Sequence, residues 1–178
     1  MDTRMWPILE RWMDRRQLYR VQLLAKVPLF SGLSQRQLGK LLVKLFERNY
    51  EAGEMIFVQG DAGKALFIVL SGKVSIFRNN NETEEQLATL SAGGYFGELA
   101  LIDDQPRFAS ARADEPTGLL MLYKTDFDDL IDGHKAIAIK VMSNLLRTLV
   151  GYLRRAQSQA GSRNSLVTGV ISTKTKAG

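Results

Sequence analysis

Residues 96–111 read FGELALIDDQPRFASA, and this stretch decides how the rest of the chain is interpreted. Within it, the carboxylate of Glu98 and the guanidinium of Arg107 each lie among small and apolar residues that favour burial. A buried charge without a partner is costly, so each of these side chains needs something to bind. Either the two charges pair with each other or with neighbours, or they bind a small ligand that carries hydroxyl groups at one end and an anion at the other.

The order of residues within this stretch suits a sugar-phosphate ligand. Gly97 predicts a tight turn into one or two helical turns, whose first N–H groups and partial positive charge suit an anion. Glu98 lies in the first turn, where the helix dipole favours a carboxylate and its oxygens can accept hydrogen bonds from vicinal hydroxyls. Pro106 restricts the backbone conformation directly before Arg107. The planar guanidinium of Arg107 suits bidentate contact with a phosphate. With small residues at 109–110 and an apolar wall nearby, these features describe a nucleotide site.

Composition argues against several classes of catalytic or metal site. The chain of 178 residues has room for one domain with short appendages. It contains no cysteine, which excludes a disulfide framework, cysteine-ligated zinc and a cysteine nucleophile. His134, the only histidine, is interpreted as structural, and the adjacent Asp103 and Asp104 as solvated loop charges. These observations argue against a cysteine- or histidine-based catalytic or metal site, and we expect neither a cofactor nor a metal.

The positive charge of the chain is concentrated at its C-terminal end. Residues 133–178 contain eight basic and no acidic residues, whereas the other 132 residues contain 16 basic and 19 acidic residues. Such asymmetry can mark a nucleic-acid surface. However, the basic residues are widely spaced and Tyr152 is the one aromatic residue among them, which favours a solvated helix face. Only 19 residues follow Gln159, too few for a helix-turn-helix module, so direct DNA binding is not expected.

The sequence gives no indication of a membrane segment. No apolar run approaches the roughly 18 residues that span a bilayer. The N-terminal residues lack the apolar core of a signal peptide. We therefore expect a cytoplasmic protein without membrane insertion.

Helical and strand patterns follow one another along the chain. Residues 1–27 predict an N-terminal helical segment that Pro28 stops, and Ser34 with Gln37 predicts a capping box at the start of a second helix. After residue 49 come short β-rich runs separated by turn signals: MIFV, ALFIVL, VSIF, QLATL and GLLMLY. Strands this short and this often interrupted predict a small barrel or roll, not a parallel sheet with crossover helices.

Residues 135–157 predict one long helix with two apolar strips. The first strip alternates spacings of four and three and consists of Ala138, Met142, Leu145, Leu149 and Tyr152. The second strip lies beside it and consists of Ile139, Leu146, Val150 and Leu153. One packing surface needs only one strip, so we expect the helix to contact both the roll and something else: a ligand, a second subunit or the N-terminal helices. From residue 158 the Ser-, Thr- and Gly-rich composition predicts a flexible tail.

The stretch 96–111 resembles the phosphate-binding cassette of cyclic nucleotide-binding domains, in which F-G-E-L-A-L and a short loop precede P-R-x-A-S/T. Residues 27–34 and 51–77 resemble the start of the roll and its first strands in the same family, which includes the domains of the catabolite activator and protein kinase A regulatory-subunit type. The resemblance covers about residues 26–155. It implies an α+β fold: a double-stranded β-helix, or jelly-roll-like β-roll, flanked by N-terminal helices and a long C-terminal helix.

The resemblance implies four parts along the chain. An N-terminal helical segment at 1–27 precedes a cyclic nucleotide-binding β-roll at 28–134, which contains the cassette at 96–111. A lid or dimerisation helix at 135–157 follows, and a flexible tail at 158–178 ends the chain.

The resemblance also implies roles for individual residues. Glu98 corresponds to the acceptor for the ribose 2′-hydroxyl and Arg107 to the ligand of the cyclic phosphate, while Gly97 lets the backbone approach the sugar. Neighbouring backbone amides would complete the phosphate cradle, apolar side chains would face the base, and Tyr152 falls near the place where the family caps the purine. The implied binding residues are Ile76, Gly97, Glu98, Leu99, Ala100, Arg107, Phe108, Ala109 and Tyr152, with Leu87 and Ala88 beside Ile76 on the base-facing wall.

Phe108 departs from the family pattern, which has Ala, Ser or Thr directly after the arginine. A hydroxyl at that position is associated in the family with guanine recognition, so its absence favours cyclic AMP over cyclic GMP. The phenylalanine ring could also narrow the mouth of the pocket, or enter the pocket and weaken binding.

The resemblance thus implies a non-catalytic sensor that binds cyclic AMP, or less favourably cyclic GMP, and signals by drawing the long helix onto the pocket. Its expected partners are the cyclic nucleotide, an unidentified downstream protein and, through the long helix, a second copy of the chain. Two alternatives stay open. The chain could be an interaction or scaffold protein of the same fold with an empty or altered pocket, or a fragment of a larger transcription regulator or channel.

Overall fold

The computed structural model describes residues 14–80 and 83–173 of the chain. In these ranges the helices are α1 (Arg15–Lys26), α2 (Gln35–Leu42), α3 (Lys124–Gly133) and α4 (Lys135–Thr173). The strands are β1 (Phe46–Tyr50), β2 (Met55–Phe57), β3 (Ala65–Ser71), β4 (Lys73–Asn80), β5 (Thr83–Ser91), β6 (Tyr95–Phe96), β7 (Ser110–Ala113) and β8 (Thr117–Tyr123). Short 3₁₀ helices occupy Pro28–Phe30 and Glu98–Leu101. Residues 1–13 of the predicted N-terminal helical segment lie outside the described ranges.

Local signals at the N-terminal end act as the sequence predicts. α1 ends at Lys26, and Pro28 opens a 3₁₀ turn because its ring and its missing N–H do not continue the helix. The Gln37 N–H donates to Ser34 Oγ at 3.3 Å, and the Ser34 N–H donates to Gln37 Oε1 at 2.9 Å. The predicted capping box of α2 is therefore confirmed.

The strands in the described ranges form two four-stranded antiparallel sheets. Their strand orders are β1-β8-β3-β6 and β2-β7-β4-β5. Strands that follow one another in sequence repeatedly cross from one sheet to the other, so the two sheets close into a roll. This roll, with helices before it and a long helix after it, confirms the predicted fold class.

β3 is apolar on both faces because both faces are covered. Leu66 and Ile68 pack in a cluster with the helices, whereas Phe67 and Val69 pack in a second cluster between the two sheets. Side chains alternate across a strand, so an unbroken apolar run fills both layers at once. The cluster between the sheets lies directly beneath the candidate site.

α4 packs one face against the chain segment that follows α1. Ile137, Val141 and Leu145 are buried on this face. The buried Asn144 side chain donates from Nδ2 to the Leu29 carbonyl at 3.0 Å and to the Ser31 carbonyl at 2.9 Å. Both contacts satisfy carbonyls that would otherwise lack partners, and they fix the inner face of α4 against the roll.

The opposite face of α4 carries an exposed apolar strip. Its side chains are 40–68 % exposed and belong to Ile139, Met142, Leu146, Val150 and Leu153. The predicted second strip therefore faces outward. Met142, which the sequence spacing grouped with Ala138 and Leu145 in the first strip, belongs to this outer strip instead.

α4 is longer than the sequence predicted. It continues to Thr173, so the prediction that the helix ends at residue 157 is wrong, whereas the predicted flexibility of residues 158–173 stays a prediction. These residues contain no proline, and their two glycines each cost only about 1 kcal/mol relative to alanine. Such costs do not stop a helix that is already nucleated. Residues 174–178 of the predicted tail lie outside the described ranges.

Part of α4 also resembles a membrane span by composition alone. Lys135–Gln157 is the one helix in the described ranges that is long and apolar enough, with a mean hydropathy of 1.3. The core helix of a folded domain passes the same test, and this helix packs its inner face against the roll. Composition by itself therefore gives only weak support for a membrane segment.

Candidate functional site

A sharp turn after β6 brings Glu98 into the interior. Gly97 has φ = +73°, and a Cβ atom at this position would lie 2.6 Å from Arg107 Nη1, so both the backbone and the available space require glycine. The chain then forms a single 3₁₀ turn that begins at Glu98, whose side chain is buried. The tight turn and short helix that the sequence predicted are present. They place a carboxylate on the wall of a cavity.

The backbone of Arg107 is held by the loop between β2 and β3. The Arg107 N–H donates to the Asp61 carbonyl at 2.8 Å, and the Gly60 N–H donates to the Arg107 carbonyl at 2.8 Å. Beside them, Ala62 and Pro106 form an antiparallel bridge. These contacts fix where the Arg107 side chain starts, independently of what that side chain binds.

The Arg107 guanidinium lies beneath Gly97 on an aromatic floor. Nη1 donates to the Gly97 carbonyl at 3.1 Å and Nη2 donates to the Ala65 carbonyl at 2.7 Å. The guanidinium carbon lies 4.3 Å from the ring centroid of Phe57 and 5.6 Å from that of Phe67. Nε is buried without a hydrogen-bond partner. An unpaired buried donor is costly, so this N–H marks a place that favours an acceptor.

Glu98 and Arg107 do not neutralise each other. Within the described ranges neither side chain forms an ion pair at 4.0 Å or less. Burial lowers the pKa of Arg107, while the negative charges of Glu98 and Asp61 act in the opposite direction. The site therefore holds a half-buried positive charge whose hydrogen-bond partners are neutral carbonyls. An anion with acceptor oxygens is the chemical partner that this arrangement lacks.

Tyr152 connects α4 to Glu98. Burial of its hydroxyl raises the pKa of Tyr152, and the Glu98 carboxylate raises it further because it repels the phenolate and accepts a hydrogen bond from the hydroxyl. The residue is nevertheless 41 % exposed, and its ring centroid lies 5.1 Å from the guanidinium carbon of Arg155. A contact of 3.0 Å between Tyr95 Oη and Thr148 Oγ1 also joins β6 to α4. α4 thus reaches the site through Tyr152, which lines the same cavity as Glu98.

These side chains line a single cavity of about 360 Å³, within the range of roughly 300–1,000 Å³ that is typical of small-molecule sites. The cavity brings together every residue that the sequence assigned to the site: Ile76, Leu87, Ala88, Gly97, Glu98, Leu99, Ala100, Arg107, Phe108, Ala109 and Tyr152. It also contains residues that the sequence did not assign: Phe57, Gly63, Leu90, Tyr95, Phe96, Asp103, Gln105 and Pro106. Strand alternation could have placed Phe57 inside, but no sequence signal put it under the guanidinium.

Phe108 lies on the lining of this cavity without filling it. The residue is 57 % exposed, and its ring centroid lies 5.9 Å from the guanidinium carbon of Arg78. Arg107, which precedes it, points to the opposite side, towards Phe57 and Ala65. The effect of Phe108 on ligand affinity stays a prediction.

The remaining titratable residues that the sequence considered do not form a catalytic cluster within the described ranges. Asp104 accepts a hydrogen bond from Lys124 Nζ at 2.8 Å, whereas Asp103 lies on the cavity lining. His134 lies in the joint between α3 and α4. Within residues 14–80 and 83–173, no three His, Asp or Glu side chains are grouped as a metal site would require.

Comparison with known proteins identifies the fold and the cassette. The family model described as "Cyclic nucleotide-binding domain" matches residues 47–134. The cyclic AMP receptor protein of Thermus thermophilus is 42 % identical over 123 residues, which are 68 % of this chain and 57 % of that protein. The chain therefore spans little more than half the length of that relative.

Two solved structures share the fold. The catabolite activator protein of Thermus thermophilus superimposes with a TM-score of 0.71 at 39 % identity, covering 77 % of this chain and 63 % of that one. The regulatory domain of Toxoplasma gondii PKA, in a co-crystal structure with cAMP, gives a TM-score of 0.66 at 26 % identity, covering 78 % of this chain and 51 % of that one. Together with the cavity beside residues 96–111, these likenesses establish that, through residues 47–134, the chain belongs to the cyclic nucleotide-binding domain family.

Proposed function

We propose that the protein is a non-catalytic cytoplasmic sensor that binds cyclic AMP in the cavity around Glu98 and Arg107 and signals through α4. The observation that carries this proposal is the pair of unneutralised charges, with the buried Nε–H of Arg107 lacking an acceptor. A cyclic phosphate supplies both the negative charge and the acceptor oxygens that Arg107 needs. The names of the relatives support the same ligand, because one is a cyclic AMP receptor protein and another was crystallised with cAMP.

The cavity suggests an orientation for the nucleotide. The phosphate binds at Arg107, and a ribose hydroxyl donates to the buried carboxylate of Glu98. The base then lies against the apolar wall formed by Ile76, Leu87 and Ala88. In this orientation the ligand satisfies both charged groups, and its aromatic part is removed from water.

We infer a preference for cyclic AMP over cyclic GMP from Phe108. Its side chain lies on the lining of the cavity and carries no hydroxyl that could hydrogen-bond to the 2-amino group of guanine. A polar amine placed against an apolar ring loses its contacts with water and gains no partner there. The adenine base lacks that group and so avoids this cost.

Tyr152 provides the link from ligand to helix. Its hydroxyl lies close enough to Glu98 for the carboxylate to raise the pKa of Tyr152, and a ribose hydroxyl would use the same carboxylate. Binding of the sugar therefore replaces one contact that holds α4 and offers the Tyr152 ring a new surface on the nucleotide. A ligand that changes the contacts of α4 in this way shifts the helix between two positions, and a downstream protein can read the difference.

The partner that α4 best fits is a second copy of this chain. The exposed strip repeats at spacings of three and four, as in the seam of a coiled coil. Ser143 and Gln157 on one side of the strip and Tyr152 on the other are uncharged, so a parallel pair buries no charged side chain beside the seam. The basic residues of the helix, such as Lys140 and Arg147, are exposed, and salt screens the repulsion between the two copies. Residues 158–173 continue the helix and would lengthen its interface.

Side-by-side calorimetric titrations with cyclic AMP and cyclic GMP test the proposed function. We expect cyclic AMP to bind the purified chain more tightly than cyclic GMP, with linear 5′-AMP as a control that keeps the base but lacks the closed phosphate ring. At about 100 times its dissociation constant, cyclic AMP should also add ~2.7 kcal/mol to the free energy of unfolding. A chain that neither binds nor is stabilised by either cyclic nucleotide would instead be a scaffold protein with an empty pocket.

A further inference from the structure

A second polar cavity lies at the joint between α2 and the start of α4. It has a volume of about 430 Å³ and is lined by Arg36, Gln37, Lys40, His134, Lys135, Ala136 and Ile137. Arg36 and Lys40 are four residues apart in α2 and so lie on the same face of that helix. None of the residues that line this cavity also lines the cavity around Glu98 and Arg107.

The charge of this cavity is positive and unbalanced. Three of its side chains, Arg36, Lys40 and Lys135, are cationic, and no acidic residue contributes to the lining. Within the described ranges none of the three forms an ion pair, although other lysines of the protein do, such as Lys44 with Asp129. Like charges gathered around one cavity repel each other. A multiply charged anion placed between them attracts each cation and so offsets this repulsion.

Neutral donors accompany the cations. The Oε1 atom of Gln37 is already occupied by the Ser34 N–H, so the group that Gln37 can still offer to a ligand is its donor amide. In the first turn of α4, the N–H groups of Ile137 and Ala138 donate to the His134 carbonyl at 2.8 and 3.2 Å. The N–H groups of Lys135 and Ala136 come before the first of these hydrogen bonds, so they have no acceptor within the helix, as is general for the first N–H groups of a helix. The lining therefore presents donors and cations, which suit a phosphate group.

We propose that this second cavity binds a soluble phosphate-bearing anion with two or more negative charges, independently of the cyclic nucleotide. Such an anion contacts α2 through Arg36 and Lys40 and the start of α4 through Lys135. It therefore connects α2 to the start of α4, next to His134. Because Tyr152 of α4 lines the cavity around Glu98, an anion at the first turn of this helix also acts on an element that the nucleotide contacts.

Calorimetric titration with inorganic pyrophosphate at about 0.15 M salt tests this proposal. At this salt concentration, exposed charges more than ~8 Å apart are screened, so general attraction between the anion and a basic protein surface is weakened. We expect saturable binding to the full chain and a rise in its melting temperature. The double variant Arg36→Gln/Lys40→Gln is expected to bind pyrophosphate at least tenfold more weakly. The matched control is Arg15→Gln/Arg16→Gln on α1, which removes the same charge from exposed residues and should bind like the parent.

Three outcomes of the titrations with the parent and the two double variants would overturn the proposal. They are a parent chain that does not bind pyrophosphate, equal binding by the parent and the α2 variant, and equal weakening in both double variants, which would reflect general charge attraction. An Arg107→Ala variant separates the two sites, since it should still bind pyrophosphate while losing cyclic AMP. If pyrophosphate binding is lost with Arg107, the anion is using the nucleotide cavity and the second site does not exist.

Discussion

Replacing Arg107 by alanine is expected to weaken cyclic AMP binding by about 30-fold to 5,000-fold, which corresponds to about 2–5 kcal/mol. The reason is that, among the residues that the structure describes, the guanidinium is the one cation on the lining of the cavity. Its loss leaves the phosphate in an apolar, half-buried place without a counter-charge. Isothermal titration calorimetry of parent and variant measures the effect directly.

Two further variants make this result interpretable. Arg107→Lys keeps the positive charge but not the planar fork, so we expect its affinity to lie between those of the parent and the alanine variant. Arg48→Ala removes an arginine from an exposed ion pair with Glu54, outside the cavity, and should leave the affinity within about twofold, since such pairs contribute little. Because Arg107 also donates to two backbone carbonyls, thermal melts must show that the variant is folded. Equal affinity in a folded Arg107→Ala variant would refute the assigned phosphate contact.

The variant Leu146→Arg is expected to convert a dimer into a monomer. Leu146 lies in the middle of the exposed strip of α4 and is 62 % exposed in the single chain. In a parallel pair of helices, residues at this seam position approach their counterparts, so arginine would bring two like charges together in a desolvated seam. Sedimentation equilibrium should give the parent twice the chain mass of 19.9 kDa and the variant 19.9 kDa.

The control for this experiment is Val43→Arg. Val43 is even more exposed, at 83 %, and follows α2 outside the α4 strip, so the same change there should leave the mass of the dimer unaltered. A parent chain that is monomeric at tens of micromolar would contradict the proposed partner. In that case the strip of α4 is covered by a different protein.

The sequence predicted the fold and the main site residues because their signals are local. Pro28, the Ser34–Gln37 capping box and the interrupted strands each depend on neighbours within a few residues. The same holds for Gly97 and Glu98, since a tight turn and a first helical turn are set by adjacent residues. Such features can be inferred from one chain without knowledge of distant contacts.

The parts that the sequence did not predict depend on residues far apart in the chain. The aromatic floor beneath Arg107 comes from Phe57 and Phe67, which lie 50 and 40 positions earlier in strands of different sheets. The sequence grouped Met142 with the buried Leu145 in one strip, and this grouping failed because spacings of three and four residues fit both faces of a helix that is apolar on two sides. The end of α4 was placed too early because composition alone does not show that a nucleated helix continues through glycines.

A crystal structure of the chain grown with millimolar cyclic AMP tests the central claim most directly. We predict that the cyclic phosphate hydrogen-bonds to Arg107, with Nε among its donors, and that a ribose hydroxyl replaces Tyr152 at the carboxylate of Glu98. The claim would be contradicted if the ring of Phe108 fills the cavity, no nucleotide is bound, and both charged side chains point away from the space between them.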